Sequence, residues 1–141
     1  MLSLTQRRNA QRGRAPAPAV DAPRILIVDD SAFARYSLKQ ILTKSGYHVV
    51  EADDGGSAIE LYAGEKPDAV LLDITMERVD GLSTLRAIRQ MNPQAKVAMV
   101  TGLGQQSIVL EAVKSGATDF IVKPFQPDRV LAALEKLLAA G

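Results

Sequence analysis

The sequence predicts an α/β fold, an open and doubly wound parallel sheet of five strands with helices on both faces. Three observations predict it. From Arg24 onward, short β-rich runs alternate with longer stretches of helical periodicity, the pattern of consecutive βαβ units. Three of the five runs are nearly all apolar, as strands covered by helices on both faces must be. Gly46, Pro93, Gly116 and Pro127 punctuate the helical stretches where a helix has to stop or start. Because each βαβ crossover is right-handed, successive units build a doubly wound sheet, with ligands bound outside the carboxyl ends of its strands.

The elements follow in order. Arg24–Val28 is the first strand, and the helix after it begins near Ser31 and Ala32. That helix carries Phe33, Ser37, Leu38, Ile41 and Leu42 at helical spacing and is stopped by Gly46. His48–Ala52 is the second strand, with His48 expected as an exposed edge residue, and a helix covers about 56–62. The third strand spans 69–72, and its helix, 82–91, is closed by Asn92-Pro93 because the residue before a proline disfavours the α region. The fourth strand is 96–100, followed by a helix over 105–115 that ends at Gly116. Asp119–Val122 is the fifth strand. The last helix starts at Pro127, a first-turn position where the missing N–H costs little, and buries Val130, Leu131, Leu134, Leu137 and Leu138. Met76, Met91 and Met99 serve as core or loop fillers.

Composition narrows the chemistry. The 141 residues suffice for one domain, and 47% hydrophobic with 23% charged residues is an ordinary globular balance. With no Cys, thiol nucleophiles and every Cys-based metal site are excluded, and a single His cannot build a multi-His site. No apolar run approaches the ~20 residues that span a bilayer, so no membrane insertion is expected. Residues 1–23 carry Arg7, Arg8, Arg12 and Arg14 against Asp21, a balance of +3, while the remaining 13 basic and 15 acidic residues leave −2 on the rest. This Pro-Ala-rich basic leader is expected to be disordered, since it has too few large apolar groups to offset ordering entropy. An Arg-rich start also suits a transit peptide or a basic arm, but the acidic body gives nucleic acid no help as a partner. The folded unit is 24–141.

Polar groups stand at four of the strand ends: Asp29 and Asp30 after the first, Asp73 after the third, Thr101 with Gly102 after the fourth, Lys123 with Pro124 after the fifth. Singly, each has a bland explanation. Asp29 or Asp30 would cap the first helix, Asp73 would end a strand, Thr101 is a β-former and Lys123 a solvated charge. Jointly, three carboxylates at one rim repel one another unless a cation compensates them. Oxygen ligands suit a hard ion, and Mg²⁺ takes one or two carboxylates, waters and a substrate phosphate. Asp73 is then a candidate nucleophile toward phosphorus, with Lys123 and Thr101 placed to hold phosphoryl oxygens.

The stretches Ile25-Leu-Ile-Val-Asp29-Asp30-Ser31, Leu71-Leu-Asp73-Ile-Thr-Met76 with Asp80-Gly81, Met99-Val-Thr101-Gly102 and Phe120-Ile-Val-Lys123-Pro124-Phe125 resemble the receiver domain of two-component response regulators. The resemblance covers nearly all of 24–141 in order and spacing. Ala32-Phe33-Ala-Arg35, Gly104-Gln-Gln106 and Lys123-Pro-Phe-Gln-Pro-Asp-Arg129 are most similar to single-domain chemotaxis regulators of Gram-positive and thermotogal bacteria. The resemblance implies a flavodoxin-like strand order 2-1-3-4-5 and a cytoplasmic switch protein rather than a turnover enzyme. It further implies that Asp73 accepts phosphate from a sensor histidine kinase, such as a chemotaxis kinase. Asp30 would ligate Mg²⁺ directly, Asp29 chiefly through water, and the backbone carbonyl of Thr75 would complete the protein ligands. Thr101 and Phe120 would be the switch pair, and Lys123–Pro124 would be a cis peptide. Partners such as a flagellar motor switch protein or a phosphatase would read the surface of the fourth helix, fifth strand and fifth helix, since no output domain follows Gly141.

Two departures stand out. Glu77 occupies a position where the family usually has proline, and Phe120 replaces a tyrosine, removing a hydroxyl that would need a partner when buried. Glu77 favours a rival in which the site is vestigial and the domain binds partners without phosphate. A second rival is an Asp-nucleophile, Mg²⁺-dependent phosphatase of the haloacid-dehalogenase type. Such enzymes normally carry a second Asp two residues after the nucleophile, where this chain has Thr75.

Overall fold

A computed structural model describes residues 21–74, 81–102 and 106–139. The elements alternate without exception: β1 (Arg24–Val28), α1 (Ala32–Lys44), β2 (His48–Ala52), α2 (Gly55–Glu65), β3 (Ala69–Asp73), α3 (Gly81–Met91), β4 (Val97–Thr101), α4 (Gln106–Lys114), β5 (Asp119–Val122) and α5 (Pro127–Ala139). The strands pair in parallel in the order β2-β1-β3-β4-β5. The three nearly all-apolar runs are thus the three central strands.

Alternation along the strands divides the interior into two layers. Leu26, Val28, Val70, Leu72, Val97 and Met99 face α2, α3 and α4, where Ala58, Tyr62, Leu85, Ile88 and Ala112 meet them. Ile25, Ile27, Leu71, Ala98, Val100 and Ile121 face α1 and α5, against Leu38, Leu42, Val130, Leu134 and Leu137. Leu131 and Leu138 of the expected α5 stripe are half-buried at its margin.

Several boundaries differ from the sequence expectation. β3 runs on to Asp73, which pairs in register with Val100, and β4 runs from Val97 to Thr101. Asp73 and Thr101 are therefore the last residues of their strands. α2 is longer than 56–62 because Asp54 caps it, its side chain accepting the Ser57 N–H at 2.7 Å. α1 ends as expected: Gly46, at φ +88°, takes the left-handed conformation that lets Tyr47 N–H reach Leu42 O at 3.1 Å. The first residue expected in the fourth helix, 105, lies outside the described residues.

Phe33 departs most from expectation. Although it shares the helical spacing of Leu38, Ile41 and Leu42, it is 79% exposed. It lies five residues before Leu38, about 140° round the helix, so the Leu38–Leu42 stripe can face the sheet only if Phe33 faces away. His48 lies on edge strand β2 but is half-buried, not exposed. Met99 is core and Met91 is 43% exposed, whereas Met76 lies outside the described residues.

Candidate functional site

The carboxyl ends of β1, β3, β4 and β5 converge on one rim. Asp29 follows β1 directly and is anchored at every polar group. Its N–H donates to Ala52 O at 3.1 Å, its Oδ1 accepts the Ser31 N–H at 2.9 Å, its Oδ2 accepts from Lys123 Nζ at 3.1 Å, and its carbonyl accepts from Arg35 Nη1 at 2.6 Å. The residue that caps α1 is Ser31, whose hydroxyl accepts the Ala34 N–H at 3.2 Å. Neither Asp29 nor Asp30 is therefore the N-cap of α1.

Asp73 sits opposite, 3% exposed, with its Oδ2 3.5 Å from Lys123 Nζ. One carboxylate oxygen from each of Asp29, Asp30 and Asp73 lies within 4.8 Å of the others, with Asp30 exposed and the other two buried. Thr101 is buried at the end of β4, and its carbonyl accepts the Lys123 N–H at 2.7 Å, which joins β5 to the rim. The Lys123–Pro124 peptide is cis, as expected. Phe120 is 40% exposed on β5.

The electrostatics follow from crowding. Burial pushes the Asp29 carboxyl above its ordinary value and the negative Asp73 adds to this, against the opposing pull of the Ser31 N–H and the Lys123 ammonium. Lys123 is held above its ordinary value although burial works against its charge, because the Asp29 hydrogen bond and the charges of Asp73 and Asp29 outweigh that cost. Three converging oxygens with one ammonium between two of them still leave excess negative charge, and an all-oxygen donor set of this kind fits a hard divalent cation such as Mg²⁺.

Of the side chains assigned to the site from the sequence, Asp29, Asp30, Asp73, Thr101 and Lys123 stand at this rim, whereas Phe120 lies within β5, short of its carboxyl end. The expected carbonyl ligand of Thr75, and Glu77 beside it, lie outside the described residues. Two features escaped the sequence reading. Arg35 braces the Asp29 backbone, a role that no periodicity announces. A groove of about 780 Å³ also opens beside Lys123, lined by Phe33, Tyr36, Ile41, Pro124 and Phe125. Its exposed aromatics could have been found only by noticing that Phe33 falls off the Leu38–Leu42 stripe.

This fold and rim define a class. Residues 25–135 match the response regulator receiver domain, and the chain belongs to that family. It is 52% identical over 118 residues to the chemotaxis protein CheY of Bacillus subtilis, covering 83% of this chain and 98% of that one. It is 51% identical over 115 residues to CheY of Thermotoga maritima, covering 81% and 96%. Among solved structures it resembles the receiver domain of NtrX from Brucella abortus, with a TM-score of 0.81 at 35% identity over 83% of this chain and 99% of that one. It also resembles a CheY-like receiver domain protein from Methanospirillum hungatei, with a TM-score of 0.80 at 31% identity over 84% and 95%. No helix among the described residues is long and apolar enough to cross a membrane.

Proposed function

We propose that residues 24–141 act as a phosphorylation-controlled switch: Asp73 accepts a phosphoryl group from a sensor histidine kinase with Mg²⁺ present, and the change is read by a partner, in chemotaxis signalling. The convergence of the Asp29, Asp30 and Asp73 oxygens within 4.8 Å, with Lys123 against two of them, carries this reading. The two CheY relatives support the chemotaxis role, and the cytoplasm is where kinase and partner would be met.

In the transfer, an Asp73 carboxylate oxygen forms a bond to phosphorus as the phosphorus–nitrogen bond of the phosphohistidine breaks, and the departing imidazole takes a proton from solvent. Asp29, Asp30, Asp73 and the carbonyl of Thr75 would hold Mg²⁺, which supplies charge compensation at the phosphoryl oxygens. Lys123 pairs with one phosphoryl oxygen and so leaves its present position between Asp29 and Asp73. The Thr101 hydroxyl donates to another. As Thr101 moves toward the phosphate, Phe120 turns inward, and the α4–β5–α5 surface presented to a motor switch protein or a phosphatase changes.

Intact-protein mass after incubation with acetyl phosphate tests the chemistry. The expected result is a gain of one phosphate that requires Mg²⁺ and disappears with EDTA or in Asp73→Asn. No gain by folded, Mg²⁺-bound wild type would favour a phosphate-independent binding module. Turnover of p-nitrophenyl phosphate would favour the phosphatase.

A further inference from the structure

Asp29 and Asp30 are adjacent in the chain, so the orientation of the single peptide unit between them constrains where Asp30 can project. The carbonyl of that unit is gripped by Arg35 from α1, with Nη1 at 2.6 Å. The Arg35 side chain is only 19% exposed, and its Nε lies 3.4 Å from Glu51 Oε1 on β2. The other oxygen of Glu51 lies 3.4 Å from Lys39 Nζ, one helical turn further along α1. The result is a chain of contacts, Lys39 to Glu51 to Arg35 to the Asp29 carbonyl, that enters the acidic rim from the side opposite Lys123. The planar fork of arginine can address a carbonyl and a carboxylate at once, which a lysine ammonium does less well. Glu51 also neutralises the guanidinium, so that Arg35 does not repel a cation at the adjacent carboxylates.

From this we infer that Arg35, steered by Glu51, is a positioning residue for the divalent cation. It fixes the Asp29–Asp30 peptide plane so that the exposed Asp30 carboxylate is directed toward Asp29 and Asp73 before the ion arrives. The inference rests on the Mg²⁺ reading of the rim and adds to it a support that none of the three carboxylates supplies. Preorganisation of this kind acts on affinity, because a free Asp30 would have to be ordered at the cost of binding.

The test is Mg²⁺ titration of the full chain by calorimetry, for wild type, Arg35→Ala, Arg35→Gln, Arg35→Lys and Glu51→Gln, with melting temperature recorded for each. The metal-free amide resonance of Asp30 is the second readout. Arg35→Ala is expected to raise the Mg²⁺ Kd by about tenfold. Arg35→Gln, which keeps a donor and loses the charge, recovers part of the affinity if the hydrogen bond is the cause. Arg35→Lys and Glu51→Gln fall between wild type and Arg35→Ala, and every variant that weakens binding also shifts the metal-free Asp30 amide. The positioning role is overturned if folded Arg35→Ala binds within twofold of wild type or leaves the Asp30 amide in place. It is overturned equally if Arg35→Gln binds no better than Arg35→Ala. Should Arg35→Ala not fold, the Arg35→Lys and Glu51→Gln results decide by the same criteria. Failure of wild type itself to bind Mg²⁺ would instead overturn the cation reading on which the inference rests.

Discussion

Lys123 Nζ lies 3.1 Å from Asp29 Oδ2, a contact between residues 94 positions apart that ties the end of β5 to the end of β1 across the intervening strands. Its side chain is 33% exposed, and the carboxylate it meets is 2% exposed. Removing the ammonium leaves two buried carboxylates facing each other. Lys123→Ala is therefore expected to lose about 2 kcal/mol of stability in EDTA, a figure kept low because the lysine is partly solvated. Mg²⁺ should raise the melting temperature of the variant more than that of wild type, since the cation supplies the missing positive charge. Equal Mg²⁺ shifts in both proteins, followed by thermal melts, would contradict this.

The direction of the Asp29 shift predicts a pH dependence. Its carboxyl is held above the ordinary 3.8 by burial and by Asp73. A raised carboxyl favours the protonated form in the fold, so metal-free stability falls as pH rises from that ordinary value through the folded one. Asp29→Asn should lose this fall. Mg²⁺ competes with the same proton, so calorimetric affinity should decline on acidification at a higher pH than an unperturbed aspartate would produce.

Lys123 and Tyr47 are both raised above their ordinary values, 10.5 and 10.0. For Tyr47 the causes are burial first and then the charge of Glu135. In both cases the folded state keeps a proton that the unfolded state has begun to lose. Stability is expected to be intact below about pH 10 and to fall above it. A denaturant midpoint unchanged between pH 9 and pH 11 would refute this.

Two residues of α1 should separate cleanly. Leu38, 1% exposed against the sheet, is expected to lose about 2–5 kcal/mol on substitution to Ala, whereas Phe33→Ala, at 79% exposure, should change stability by about 0.5 kcal/mol or less. Denaturant melts of the two variants check this directly.

Gly81 opens α3 against the back of the site. A Cβ there would lie 2.5 Å from the Asp73 carbonyl oxygen and 2.5 Å from Ile74 Cα, and backbone atoms cannot move aside cheaply. Gly81→Ala is expected to cost about 1–3 kcal/mol and to shift the Asp73 amide resonance, because the displaced strand end carries the acceptor carboxylate. An unshifted amide in a fully stable variant would contradict the close approach.

Much of this molecule was legible along the chain. The alternation of elements, the limits of β1, β2 and β5, and the stop at Gly46 are written in local patterns: side-chain periodicity, apolar runs and turn residues, each acting within a few positions. The chemistry was legible too, because the parallel strands of βαβ units bring their carboxyl ends to one rim, so Asp29, Asp30, Asp73, Thr101 and Lys123 could be collected before any distance was known. The strand order came from likeness to a family rather than from periodicity.

Tertiary structure alone decided the rest. Packing of Leu38 and Leu42 on the sheet turned Phe33 outward, since a helix can face the core with only one stripe. Register between β3 and β4 made Asp73 and Thr101 strand residues rather than loop residues. The grip of Arg35 on the Asp29 carbonyl, and the seat of Gly81 on the Asp73 backbone, involve groups whose sequence neighbours say nothing of them. A local pattern suggests which face a residue presents and roughly where an element ends. Which atom meets that face depends on how whole elements pack, and long-range packing leaves no periodic trace in the chain.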